Sequence, residues 1–331
     1  AAATDVGSDT LVYTWEMGDG TTLIGDTVTH AFADNGSYPM SLVVSDGDGG
    51  SDSSTATLLI ANVAPTITSA TMPGGAEGQS LVFGAAATDP GADTLVYTWD
   101  FDDGSTGQGD SLTHTFTDNG SYTVELTVDD GDGGITTTAS VVTITNVAPV
   151  IDQMTGPALV DEGAVHTFTA VVSDPASDDM SSMSYNWNWG DGTADSSGAS
   201  PDHAFPDDGN YTVVLTVDDG TETVTQLHQV QVDNVAPELS SIPPATAEEG
   251  MLYTYLPVVV DPGDEVFVWS LAASAPAGMS MDASTGELSW TPAYADSVVG
   301  SFAVTLSVDD GDGASDGQTW TIQVTFTDAD G

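Results

Sequence analysis

The tetrapeptide Asn-Val-Ala-Pro occurs three times, at residues 62–65, 146–149 and 234–237, and each copy closes an alternating apolar run such as residues 140–145. The successive prolines lie 84 and 88 positions apart. Self-similarity at a fixed period constrains a fold more than any single residue does, and a period this long exceeds the solenoid range and fits whole domains of about 100 residues. The 331 residues are therefore read as an array of modules with a seam at each tetrapeptide. The expected modules are residues 1–61, 62–145, 146–233 and 234–331.

The second repeat is complete and shows what one module contains. Residues 80–88, 94–101, 111–116, 122–128 and 135–145 are runs rich in β-branched and aromatic residues, separated by Asp- and Gly-rich turns. Such runs read as strands, and five to seven of them at this spacing indicate a β-sandwich. The period of two places Val124, Leu126 and Val128 inward and Thr123, Glu125 and Thr127 outward. The expected fold class is all-β, a linear array of tandem immunoglobulin-like sandwiches. Aligning the repeats superimposes Trp15, Trp99 and Trp187, and likewise Tyr38, Tyr122 and Tyr211. A core Trp and a Tyr at the start of the penultimate strand are marks of such sandwiches. Two residues past the Tyr, where antibody domains carry a Cys, stand Met40, Val124 and Val213, and the chain has no Cys. Apolar packing alone must close these modules.

The run Trp-Asp-Phe-Asp-Asp-Gly at 99–104 and the segment from His114 through Tyr122 to the acidic turn at 129–134, with their equivalents in repeats one and three, resemble the PKD (polycystic kidney disease) domain. The resemblance covers residues 1 to about 233. Departures are Glu16-Met17 and Asn188-Trp189 in place of Asp-Phe, and Asp102 in place of the motif's first Gly. The fourth unit lacks the Trp-Asp-Phe turn and carries Thr285 to Pro292, TGELSWTP. It resembles the cadherin-like immunoglobulin modules of prokaryotic surface proteins. Repeat one starts at the equivalent of Ala85, so its first strand and most of its second are absent. Either the chain is a piece of a longer array, or a neighbour donates the strands.

The charge balance narrows the partners: 51 Asp and Glu stand against no Lys, no Arg and five His. An ordinary composition is about a quarter charged, with both signs present. Nucleic acid and anionic membrane surfaces are excluded as partners because no basic residue is available to contact phosphate. No run of 18 apolar residues exists to insert in a membrane. Acidic disorder is excluded by a 40% hydrophobic content that alternates as strands do. Self-repulsion on this scale calls for a cation from solution.

Tracing a sandwich strand by strand puts the turn between its second and third strands and the turn between its last two at the entry end. The turn after the first strand and the turn before the conserved Tyr lie at the exit end. Each seam then gathers acids from both neighbours around the Asn of the linker. At the first seam these are Asp34, Asn62, Asp89, Asp93, Asp130 and Asp132. At the second they are Glu77, Asp118, Asn146, Asp174, Asp178, Asp218 and Asp219, and at the third Glu162, Asp207, Asn234, Asp261, Asp264, Asp310 and Asp312. Several carboxylates and one amide with no basic neighbour suit a hard cation, and calcium takes about 6–8 oxygen ligands of these types. The layout is similar to the cadherin junction, a resemblance that implies bound Ca2+. In that reading Asn opens a ligand-bearing linker and Pro fixes its direction by locking φ.

Two plainer readings stand beside it. Asp-Gly is ordinary turn chemistry, in which the Asp side chain accepts N–H groups of its own turn, and an acidic surface also serves as an adaptation to high salt. Catalysis finds no support: His30, His114 and His203 share one repeat position, and no nucleophile or phosphate-binding motif is present. Trp189 and Trp290 are the candidates for a sugar platform. The expected function is mechanical, a segment of an extracellular adhesin, stalk or surface fibre stiffened by calcium at its seams. The alternative is a set of accessory modules, for spacing or glycan binding, in a secreted polysaccharidase or protease. Expected partners are calcium ions, further repeats or copies of the same surface protein, and glycans or cell-surface ligands.

Overall fold

A computed structural model of the chain describes residues 1–7, 9–91, 93–176, 179–263 and 266–326. The chain divides into two compact units, Ala1–Val147 with Pro175–Asp178, and Ala148–Asp174 with Asp179–Gly331. The first holds repeats one and two, and the second holds repeat three and the fourth module. Strands dominate both; the described helices are the short Asp179–Ser182 and Tyr294–Val299. None is long and apolar enough to cross a membrane.

Repeat two is a sandwich of two sheets. One orders the strands Ser111–Thr115, Ser80–Thr88 and Thr66–Thr71; the other orders Gly75–Ala76, Ile135–Thr145, Gly120–Asp129, Val96–Asp100 and Thr106–Gln108. Val124, Leu126 and Val128 are fully buried from one sheet and meet Phe83 of the other, as the period of two requires. Trp99 is 0% exposed, and its indole N–H is satisfied by the Gly109 carbonyl at 3.0 Å. Tyr122 donates to the Asp118 carbonyl at 3.0 Å, closing the corner before its strand. Repeat three has the same plan, with Trp187 on Gly198 and Tyr211 on Asp207. Fully burying each such aliphatic or aromatic side chain contributes about 1.5–3 kcal/mol, so each complete module has its own apolar reason to fold.

Repeat one is a single four-stranded sheet, ordered Thr22–Ile24, Val12–Glu16, Gly36–Ser45 and Ser51–Ile60. Among the described residues no second sheet faces it, Trp15 is only half-buried, and Met17 is the one large hydrophobic residue of this repeat that is buried. The fourth module packs Trp269, Leu288, Trp290, Val304, Leu306 and Ile322 into its own core.

One pairing recurs and positions the seams. In each complete module a short strand runs parallel to the last one: Gly75–Ala76 beside Ile135–Thr145, Leu159–Asp161 beside Thr223–Asp233, and Thr246–Glu248 beside Ser315–Thr325. The Glu that follows the short strand is thereby set against the point where the chain leaves the module. Glu77 N–H donates to the Thr145 carbonyl and Glu162 N–H to the Asp233 carbonyl, each at 3.1 Å.

Candidate metal centres

Acidic side chains are placed in two contrasting environments. In the turn after each core Trp, Asp19, Asp103 and Asp191 are provided for. Asp103 Oδ1 accepts the Ser105 N–H and hydroxyl, and its Oδ2 lies 2.7 Å from His114 Nε2. Asp191 meets Thr193 and His203 in the same way, and Asp19 meets Thr21 and His30. The imidazole is held in turn by rings: His114 stacks on Phe101 at 3.9 Å and His203 on Trp189 at 4.1 Å. The hydrogen bond from His30, reinforced by the Thr21 N–H, lowers the Asp19 pKa to about 2. Burial works against ionisation of Asp103 and Asp191, but the Ser105 or Thr193 donors and the His outweigh it, and both stay below the ordinary carboxylate value.

The turn itself explains its sequence. Gly18 and Gly190 have φ near +87° and +80°, and a Cβ there would come within 2.8 Å of the Pro39 carbonyl or 2.7 Å of that of Thr212. Repeat two has Asp102 at this place with φ +63°, and its Oδ2 accepts the Thr123 N–H at 2.9 Å. A short polar side chain tolerates the left-handed region better than most, and here it gains a backbone partner.

The seams are different. At the third, Glu162 is 2% exposed. Its Oε1 accepts the Val235 N–H at 2.8 Å, while Oε2 is shielded from solvent and meets no donor. Asn234 donates its amide to Asp310 Oδ2 at 2.9 Å, leaving its own Oδ1 buried and unpartnered, and Asp261 Oδ2 is in the same condition. Asp207, Asp208 and Asp312 can bring one oxygen each within 4.8 Å of one another. Burial, together with the charges of Asp261, Asp207 and Asp208, raises the Glu162 pKa. Burial and the charges of Asp208, Asp207 and Asp310 do the same to Asp312.

The first seam repeats the pattern. Asp34, Asp93 and Asp132 form one group with oxygens within 4.8 Å, and Asp89, Asp93 and Asp130 form another. Asp89 Oδ2 and Asp93 Oδ2 are shielded and unpartnered. Asp93 is pushed up by burial and by Asp34, Asp132, Asp89 and Asp130. Asp130 is lowered, chiefly by the Asn62 amide, which donates to its Oδ2 at 2.7 Å. At Asp310 burial opposes ionisation, and the Asn234 amide with the turn N–H groups overcomes it. The linker Asn therefore has a definite task at both seams: it braces the Asp of the last turn and turns its carbonyl oxygen away from that bond.

Set beside known proteins, residues 1–60, 62–145 and 146–233 each match the PKD domain. The chain belongs to the PKD-domain family. Residues 236–325 match an Ig domain of the He_PIG type. PKD and Ig domains are non-catalytic modules. A microbial collagenase of Vibrio alginolyticus is 36% identical over 83 residues, which is 25% of this chain and 10% of the collagenase. Among solved structures, Sidekick-1 immunoglobulin domains 1–5 are 16% identical, with 97% of this chain and 75% of that one covered and a TM-score of 0.39. An endo-fucoidan hydrolase of glycoside hydrolase family 107 is 19% identical, with 77% and 43% covered and a TM-score of 0.30.

Within the PKD modules the remaining sequence-derived site residues fall as follows. Glu77 is buried and accepts the Val147 N–H at 2.5 Å, Asn146 Oδ1 accepts the Asn119 amide at 2.8 Å, and the Asp118 carbonyl holds Tyr122. Asp218 and Asp219 accept N–H groups of their own turn, from Gly220 and from Thr221 and Glu222. Asp174 directly follows the strand Thr169–Ser173. Asp178 and Asp264 lie outside the described residues. The turn-forming reading describes these acids directly: Asp130 Oδ1 accepts from Asp132 and Gly134, and Asp310 Oδ1 from Asp312, Gly313 and Ala314. The sugar-platform reading is corrected, since Trp189 and Trp290 lie in module cores and present no ring face to solvent. Asp208 was missed; it occupies the place of Asn35 and Asn119, and the Asp207-Asp208 doublet was its signal.

Proposed function

We propose that this chain is a structural segment of an extracellular adhesin, stalk or surface fibre in which calcium ties neighbouring PKD and Ig modules together. The observation that carries the reading is Glu162 at the third seam, a carboxylate almost wholly removed from water with one oxygen that has no donor. Burying an unpaired charge costs several kcal/mol, and the chain has no Lys or Arg to answer it. The surrounding oxygens of Asn234, Asp261, Asp207, Asp208 and Asp312 are the hard donors calcium accepts. Glu162, Asn234 and Asp261 would hold the ion on the shielded side, and the first seam offers a different set, Asp89, Asp93 and Asp130. Because the donors come from both modules and the linker, bound calcium would restrain the joint while each apolar core holds its own fold.

Hydrogen exchange with calcium or chelator tests this. The Val235 amide, which donates to Glu162, should exchange at least tenfold faster in chelator, while the core strand Gly209–Asp218 keeps its protection. Equal exchange of Val235 under both conditions would contradict the calcium reading. A second role is favoured by the stretch shared with the Vibrio collagenase: the same modules spacing a secreted hydrolase. A catalytic domain in the full-length polypeptide would establish that role, and further PKD repeats would establish the fibre.

A further inference from the structure

We propose that the first seam takes two divalent cations bridged by the carboxylate of Asp93, rather than one. This rests on the calcium reading and adds its stoichiometry. Two groups of oxygens, Asp89/Asp93/Asp130 and Asp34/Asp93/Asp132, each close to within 4.8 Å, and Asp93 is the member common to both. The donors come from three separate elements. Asp34 precedes the strand Gly36–Ser45 of repeat one; Asp89 and Asp93 lie between Ser80–Thr88 and Val96–Asp100; Asp130 and Asp132 lie between Gly120–Asp129 and Ile135–Thr145.

Three features separate this from an acidic patch. Asp93 Oδ2 and Asp89 Oδ2 are both shielded from solvent and meet no protein donor. Asp130 is 4% exposed and is locked in orientation by Asn62 and by two turn N–H groups. The charge also demands it: five carboxylates face one another here, so a single divalent ion leaves three negative charges and two ions leave one. A carboxylate has two oxygens with lone pairs in divergent directions, and bridged cation pairs in proteins sit about 3.5–4 Å apart. Among the described residues the third seam has one such triad, Asp207, Asp208 and Asp312, and no carboxylate shared between two.

Counting bound calcium on the full chain, by equilibrium dialysis or native mass spectrometry with calcium alone as the probe, decides the matter. Asp93→Asn is expected to lower the count by two, and Asp132→Asn or Asp89→Asn by one each. An equal loss of one ion from Asp93→Asn and Asp132→Asn would overturn the bridge and leave the calcium reading intact. No calcium on the unaltered chain would overturn both. If Asp93→Asn fails to fold by circular dichroism, the double variant Asp89→Asn/Asp132→Asn decides. It should lose two ions, and a loss of only one would contradict the pair.

Discussion

The Asp103 turn and the Glu162 seam are built from the same functional group and end in opposite states. Asp103 sits among a Ser N–H, a Ser hydroxyl and the His114 ring, and its charge is stabilised. Glu162 has one backbone donor and three nearby carboxylates, and its charge is opposed. The difference teaches that net acidity is a poor guide to function in such a chain. What matters is which oxygens the fold has already satisfied, and those left over are at the seams.

The largest expected effect comes from removing a partner on the satisfied side. His203→Ala strips the nearly buried Asp191 of its ring partner and deletes the stack on Trp189. Breaking a buried pair costs about 3–5 kcal/mol; with partial screening, repeat three should lose about 2–3 kcal/mol in denaturant unfolding followed by Trp fluorescence. The loss should be the same with and without calcium. A calcium-dependent loss would erase the distinction between the two environments.

Glu162→Gln should act with opposite signs on the two sides of binding. Gln keeps an acceptor for the Val235 N–H and removes an unanswered charge, so the chelated protein should gain about 1 kcal/mol. With calcium, the loss of one anionic ligand should weaken the third seam about tenfold, or about 1.4 kcal/mol. Melting curves and calorimetric titration give the two numbers, and a loss of stability in chelator would contradict the account.

Acidification separates the two classes by pH window. Asp19, held at about 2, binds its proton less readily folded than unfolded, so its contribution is present above about pH 4 and is lost as pH falls toward about 2. Glu162, Asp93 and Asp312 are raised, so their ionised forms oppose folding at neutral pH and protonation relieves this as pH falls through their folded values. The chelated chain is therefore expected to grow more stable as pH falls from neutral through the folded values of these three groups, and to weaken as it falls further toward about 2. A monotonic fall in melting temperature from pH 7 downward would count against it. The smallest effect belongs to Asp208→Asn, which restores at a half-buried position the Asp-Asn-Gly sequence of repeats one and two. It should weaken calcium at the third seam by less than about 1 kcal/mol, measurable by titration at low salt.

The fold was legible because burial follows a period of two: Val124, Leu126 and Val128 could be placed from spacing alone. The grouping of Asp34, Asp93 and Asp132 was legible, since tracing a sandwich sends the first to the exit end of repeat one and the other two to the entry end of repeat two. Their individual states were not. Whether Asp130 is braced by Asn62, 68 residues away, depends on a contact no local pattern encodes. The His114–Asp103 pair spans 11 residues and reads as core packing until the two strands are joined. Trp189 misled because a Trp at a turn resembles a binding platform, and its burial depends on Phe168 from the opposite sheet.

The most direct test of the central claim is calorimetric titration of the chelator-stripped chain with calcium at about 0.15 M salt, beside the Glu162→Gln variant. The account expects saturable binding with dissociation constants of about 10⁻⁴–10⁻³ M or tighter, the range of extracellular modules, and loss of one tight class of site in the variant. Titration heats indistinguishable from simple dilution, or identical isotherms for the two proteins, would contradict it.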